Sequence, residues 1–210
     1  MGGVARESLE ALGETGILFV DLSGYSQIVY HCVEDAVRLE RLALALSRLF
    51  RDPKERHPGV TIEGHAGDGF LALSTGKSPA RALYDYAGEL HARFQGEIRS
   101  LLLNLGFRVS VSLRTGLHVG AVWRYPIDSP NSSALISDAV NVASRVVTSQ
   151  TCRKIGLAMT RGFFRRLLRA GDEAIRAPDE VIQDRNQYPE PIEIYTLRPD
   201  EERMLADARR

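Results

Sequence analysis

A chain of 210 residues with 27 basic and 27 acidic side chains and a formal net charge of +0 suits one compact domain. It exerts no global pull toward nucleic acid or an anionic membrane. Hydrophobic residues make up 44% of the chain, which excludes wholesale disorder and is enough for a sizeable core. Cys32 and Cys152 are the only cysteines and neither belongs to a CxxC pair, so two buried, reduced thiols are expected rather than a structural zinc site. Only Lys54, Lys77 and Lys154 are lysines. Arginine suits bidentate phosphate contacts, although a coding bias toward arginine would give the same composition. No basic-then-apolar leader opens the chain, and no apolar run approaches the roughly 20 residues that span a bilayer. A soluble, cytoplasmic protein without a nucleic-acid partner is the expectation.

Residues 17–22, ILFVDL, predict a short buried strand that ends on an acid and is followed by the turn Ser23-Gly24-Tyr25-Ser26. One long helix is predicted to about residue 50, with Val33, Val37, Leu42, Leu46 and Leu49 on its apolar face, closed by Asp52-Pro53. Residues 60–63 and 69–73 read as a hairpin around GHAGD, with Asp68 near its tip. Pro79 fits the first turn of a helix running to about residue 103, whose core face would carry Leu83, Tyr86, Ala87, Leu90 and Phe94. Residues 107–113 and 116–122 read as a second strand pair, and 124–136, with Pro126, Pro130 and several serines, as a loop. A helix over 138–149, a strand over 155–159 and a helix over 161–169 follow. The polar stretch 171–190 leads to an alternating strand, PIEIYTL, at 191–197, and the charged residues 199–210 form a tail or short helix. The hairpins favour an α+β sandwich over a parallel doubly wound sheet. Residues 1–15 are expected to be an extension ahead of a domain spanning 16–198.

Asp21 at a strand end and Asp68 at a hairpin tip would lie within about 4–6 Å of each other if their strands were neighbours, a costly pairing unless a cation joins them. Mg²⁺ or Mn²⁺ with substrate phosphates would complete such an oxygen shell. Backbone amides of Ser23, Gly24, Tyr25 and Ser26, at a helix start, would receive the phosphate tail. Either aspartate alone also reads as an ordinary solvated turn.

Four stretches, FVDLSGYS at 19–26, GDGFLAL at 67–73, RTGLHVG at 114–120 and VNVASR at 140–145, together resemble the catalytic domains of class III adenylate and guanylate cyclases, in that family's order. The resemblance covers about residues 16–197. It implies a ferredoxin-like, mainly antiparallel sheet covered by helices, in a head-to-tail homodimer with composite sites. One subunit would supply the metal carboxylates Asp21 and Asp68 for two divalent ions, Mg²⁺ or Mn²⁺. The other would supply Asn141 to orient the ribose and Arg145 to hold the triphosphate. Four residues separate Asn141 from Arg145, so a helix sets them on one face.

The sequence departs from the family at the base. The residue four before Asp68, a lysine or glutamate in purine cyclases, is Gly64. Glu63 beside it would point to the opposite face of a regular strand. The residue seven before Asn141, an aspartate or cysteine in the family, is Ala134. Near the family's phosphate-binding lysine stands Arg185, and Arg124 and His65 are further residues expected close to substrate. The missing purine readers resemble the bacterial pyrimidine cyclases of phage defence, whose cyclic UMP or cyclic CMP activates a separate effector. That resemblance implies UTP slightly over CTP as substrate. The alternatives are an atypical adenylate cyclase and an inactive cyclase-homology module that binds a nucleotide or dimerises.

Overall fold

The alternation in residues 17–22 buries both faces of one strand: Leu18, Val20 and Leu22 point into one core cluster, while Ile17 and Phe19 pack in another. This strand, β1 (Glu10–Ser23), starts at Glu10 rather than at residue 17. Gly13, at φ 70°, admits an irregularity in its pairing between Ala11 and Gly13 that keeps the earlier residues in the ladder. The structure, a computed structural model, describes residues 9–66, 69–104, 111–129, 132–171, 175–183 and 187–207.

After β1 come α1 (Tyr25–Cys32), α2 (Ala36–Arg56), β2 (Thr61–Ala66), β3 (Gly69–Ser74) and α3 (Pro79–Arg93). A π-helical stretch, Phe94–Ile98, joins α3 to α4 (Arg99–Asn104). Then follow β4 (Ser112–Ser129), β5 (Ser132–Ile136), α5 (Asp138–Thr148), α6 (Gln150–Ile155), β6 (Leu157–Thr160), α7 (Arg161–Leu168), β7 (Glu180–Ile182), β8 (Ile192–Tyr195) and α8 (Pro199–Asp207). The sheet runs β2-β3-β1-β4-β6-β8-β7, with β5 paired to β4, and only the β4–β6 pair is parallel. Its first four strands, with α1–α2 and α3 as the two crossovers, make the expected ferredoxin-like arrangement. One face is covered by α2, α3 and α7, through Leu42, Leu49, Leu83, Tyr86, Leu90, Phe163 and their neighbours. The opposite face is covered by α5. All five residues expected on the core face of α3 are buried, and both cysteines are buried and unpaired.

Several expectations fail, each for a local reason. The long helix is two: Asp35 accepts from the amides of Val37 and Arg38, both at 3.1 Å. This N-cap, worth about 1 kcal/mol, starts a new helix in a new phase. Val33 and Val37 are therefore exposed, while Leu42, Leu46 and Leu49 stay buried. Pro53 does not end α2; it sits in the last turn, where the missing amide costs a single bond. The strand expected over 116–122 and the loop expected at 124–136 are one long strand, β4, whose end forms a hairpin with β5. Pro126 is tolerated because the ladder is already interrupted between Pro126 and Ser129. The strand predicted over 107–113 falls mostly outside the described residues. The polar stretch 171–190 hides a short strand, β7, at the sheet edge.

The seat of α5 is cut by two glycines of β4. A Cβ at Gly116 would stand 2.6 Å from the Ala143 carbonyl oxygen and the Val147 nitrogen, and one at Gly120 would stand 2.5 Å from the Ala139 side chain. Backbone on that side cannot yield, so Gly116→Ala should lift α5 and cost roughly 1–3 kcal/mol of overpacking. Urea unfolding checks this; a midpoint unchanged from the parent would show that α5 does not sit as described.

Candidate active site

The antiparallel register of β1 and β4 sets Asp21 directly opposite Arg114. Arg114 Nε donates to Asp21 Oδ2 at 2.7 Å, and Arg114 Nη2 donates to the same oxygen. Asp21 Oδ1 has no hydrogen-bond partner among the described residues. Two residues on, β1 ends and the chain turns into α1 through Gly24, at φ 86°. Helix α1 has no side-chain cap and no acid in its first turn, so the amides after Ser23 and Gly24, at Tyr25 and Ser26, face outward unclaimed by a side chain. Such a helix start favours an anion. Asp21 and the Ser23–Ser26 turn thus lie together, as the sequence predicts.

Asp68 and Arg185 lie outside the described residues, as does the side chain of His65. Among the described residues no three His, Cys, Asp or Glu side chains converge. A carboxylate with one oxygen unpartnered among the described residues, partly exposed at a strand end, fits a Mg²⁺ or Mn²⁺ shell shared with substrate phosphate.

Helix α5 carries the second group of residues. Ser137 caps it by accepting from the Ala139 amide at 3.1 Å. Ala139, Val142, Ala143, Val146 and Val147 are buried against the sheet, so Asn141 and Arg145 are turned outward together. They line a cleft of about 500 Å³ with Asp138, Ser144, Gln187 and Tyr188. Arg145 Nη2 donates to Gln187 Oε1 at 2.5 Å. Asp21 is not among the residues that line this cleft.

The region expected to read the base differs from the sequence reading. The β2–β3 register slips between Ile62 and Gly64: Ile62 pairs with Ala72 and Gly64 with Leu71, leaving Glu63 as the extra residue. A bulge breaks the strict alternation of side chains, so Glu63 is not sent to the face opposite Gly64. It is instead only 12% exposed and ion-paired to Arg124 Nη2 at 2.5 Å. The end of β4 carries Arg124 there, since Leu12, Val122 and Leu135 of the same arm pack with Ile17, Leu71 and Leu73 of the sheet. Arg124 Nε is buried without a partner among the described residues, and a Cβ on Gly64 would meet nothing within 4 Å. Ala134 pairs with Tyr125, one step from the Arg124–Leu135 pair, so its side chain faces away from Arg124. Arg124 thus meets Glu63, the neighbour of Gly64, and Ala134 lies one pair along the β4–β5 ladder.

Arg114, Glu63 and Gln187 were not singled out from the sequence as site residues. Arg114 opens the RTGLHVG stretch, and the bulge has a faint signal in a glycine, Gly64, inside a strand. His118, within that same stretch, is structural: its Nδ1 lies 2.8 Å from Thr160 Oγ1. Burial, reinforced by the Arg166 charge, pushes its pKa down to about 4, so it stays neutral and offers no positive charge to phosphate.

The chain matches no protein-family model and no curated protein by sequence. Solved structures do match over most of its length. The adenylyl cyclase CyaB from P. aeruginosa superposes with a TM-score of 0.72 at 16% identity, covering 92% of this chain and 98% of that one. The guanylyl cyclase Cya2 gives 0.65 at 19% identity, covering 87% and 90%. The guanylate cyclase domain of RhGC from Catenaria anguillulae, solved with GTP, gives 0.63 at 17% identity, covering 89% and 96%. No helix among the described residues is long and apolar enough to cross a membrane. The chain has the α+β fold of the class III nucleotidyl cyclase catalytic domain.

Proposed function

We infer that this chain is a nucleotidyl cyclase, converting a ribonucleoside triphosphate to its 3′,5′-cyclic nucleotide and pyrophosphate. The observation that supports this reading is the cyclase fold together with the positions of two of the sequence stretches on it. FVDLSGYS sets a carboxylate beside an uncapped helix start, and VNVASR sets an amide and a guanidinium on the outward face of α5. In this reading the amides of Ser23–Ser26, with Arg185, hold the phosphate tail, and Asn141 orients the ribose so that its 3′-oxygen addresses the α-phosphorus. Arg145 donates its planar fork to phosphate oxygens as charge redistributes toward the pyrophosphate. Two divalent ions, Mg²⁺ or Mn²⁺, held by Asp21 and Asp68, would ease 3′-hydroxyl deprotonation and neutralise the leaving pyrophosphate.

Since the Asn141–Arg145 cleft does not include Asp21, the working unit is a head-to-tail homodimer with each site drawn from both copies. Trp123, Tyr125, Ile127 and Ile136 are exposed on the β4–β5 arm. Trp123 pairs with Ile136, so the arm offers an apolar strip that a second copy would cover.

For the base, a pyrimidine is favoured, UTP slightly over CTP. Gly64 leaves open space where a purine-reading side chain would stand, and beside it Glu63 is paired with Arg124. The Glu63 carboxylate can accept from uracil N3–H while Arg124 donates to a flanking carbonyl. The same bulge favours one other reading, guanine, whose N1–H and amino group also suit a carboxylate. Neither Gly64 nor Ala134 offers an adenine-reading side chain. The product of a pyrimidine cyclase would act as a cytoplasmic signal for a separate effector, as in bacterial antiphage defence.

Asp21→Ala and Arg145→Ala should each lower activity at least about 100-fold without unfolding the protein. Mixing the two inactive variants should restore about a quarter of the parent activity, because half the dimers then contain one intact composite site. Mixtures that stay inactive would contradict the shared site. Incubation with ATP, GTP, CTP and UTP separately, plus Mn²⁺, with products identified by mass, should give cyclic UMP foremost. Glu63→Gln should change the preference between bases by about 10-fold or more. Cyclic GMP would favour the guanine reading, cyclic AMP would reject the pyrimidine, and nucleotide binding without turnover would leave an inactive module.

A further inference from the structure

Arg114 holds Asp21 in a way that goes beyond a structural ion pair. Both guanidinium donors, Nε and Nη2, converge on Oδ2 of Asp21. The carboxylate is thereby fixed in rotation, with Oδ1 left open. The pair is mostly shielded, with Arg114 19% and Asp21 28% exposed, so water screens the two charges less than on an open surface. Arg114 is anchored from below as well: it sits between Leu113, which is buried, and Thr115, whose side chain and amide are tied to the Gly156 carbonyl and whose hydroxyl meets His91 Nε2 at 3.0 Å. The backbone that carries the guanidinium is rigid. A divalent ion entering at Oδ1 would meet a fixed positive charge a few ångströms away.

We propose that Arg114 is a positioning residue that also stands in for the metal. It keeps the Asp21 carboxylate oriented and its charge compensated in the nucleotide-free protein, and it weakens binding of a divalent cation there until a triphosphate supplies opposing negative charge. Metal and nucleotide then enter as one complex rather than metal first. This rests on the reading of Asp21 as a metal ligand. It assigns to Arg114 an order of binding, which that reading leaves open. The physical basis is charge balance: one carboxylate can compensate a guanidinium or share in a divalent shell. The two cations together leave an excess of positive charge that the polyanionic substrate removes.

The test measures Mn²⁺ binding to the purified protein without nucleotide, from the loss of the free-ion electron paramagnetic resonance signal. The parent should bind Mn²⁺ weakly, and Arg114→Met should bind it about 10-fold or more tightly. Arg114→Lys, which keeps the charge but not the fork, should stay within about 3-fold of the parent. In the presence of a non-cyclisable triphosphate lacking the 3′-hydroxyl, the gap between Arg114→Met and the parent should close. If Arg114→Met proves unfolded by circular dichroism, Arg114→Gln, with a shorter neutral amide, takes its place with the same expected gain. Equal or weaker Mn²⁺ binding in the neutral, folded variant overturns the stand-in role. Asp21→Asn separates this from the underlying assignment: if it leaves Mn²⁺ binding in the triphosphate complex unchanged, Asp21 is not a ligand and the catalytic reading itself fails. If Asp21→Asn weakens binding but Arg114→Met does not strengthen it, only the role of Arg114 is rejected.

Discussion

The antiparallel ladder between β1 and β4, from Glu10 opposite Arg124 to Ser23 opposite Ser112, sets the positions on which the site depends. At one end it faces Asp21 with Arg114. In the middle it lays Gly116 and Gly120 under α5, so close that no side chain fits at either position. At the other end it carries the β4–β5 arm, and with it Arg124, to the edge of β2. A slip of one residue would send each of these side chains to the other face of the sheet. The buried rows on both sides, Leu18, Val20 and Leu22 against Ile17 and Phe19, make that slip prohibitive.

From this ladder the separation of the two functional groups follows. Asp21 belongs to the strand end and to the turn into α1. Asn141 and Arg145 belong to the solvent face of a helix whose other face is fully occupied by the sheet. A helix cannot both pack five buried residues on the sheet and turn its outward residues back toward it. On the proposed function a single copy would carry two half-sites, and the exposed apolar strip on the arm is the surface a second copy would cover. Arg114 fits the same picture, as a guanidinium that compensates the Asp21 carboxylate within one copy.

Much of this was legible in the residues. The order of elements, the buried face of α3, the turn after Asp21 and the pairing of Asn141 with Arg145 on one helical face all rest on local periodicity and spacing, which sequence carries directly. What was not legible depended on competition between local signals or on register. Asp35 could be read as an ordinary acid within a long helix, yet its cap divided that helix and exposed Val33 and Val37. Pro126 read as a loop residue because its missing amide matters only if its ladder position requires a bond. Strict alternation sends Glu63 to the face opposite Gly64, but the bulge there is a property of two strands together, not of one. Arg114 escaped notice for the same reason: its partner lies 93 positions away in the chain and is defined only once the ladder is known.

The central claim is that Asp21 of one copy and the α5 residues of another serve a single nucleotide. The most direct measurement is a crystal structure of the protein with Mn²⁺ and a 3′-deoxy triphosphate. The account predicts a two-fold dimer in which Asp21 of one protomer lies within about 2.0–2.6 Å of a metal on the triphosphate, while Arg145 of the partner subunit donates to the same phosphate tail. A nucleotide held entirely by one protomer, or bound with Asp21 still paired to Arg114 and remote from any metal, would contradict it.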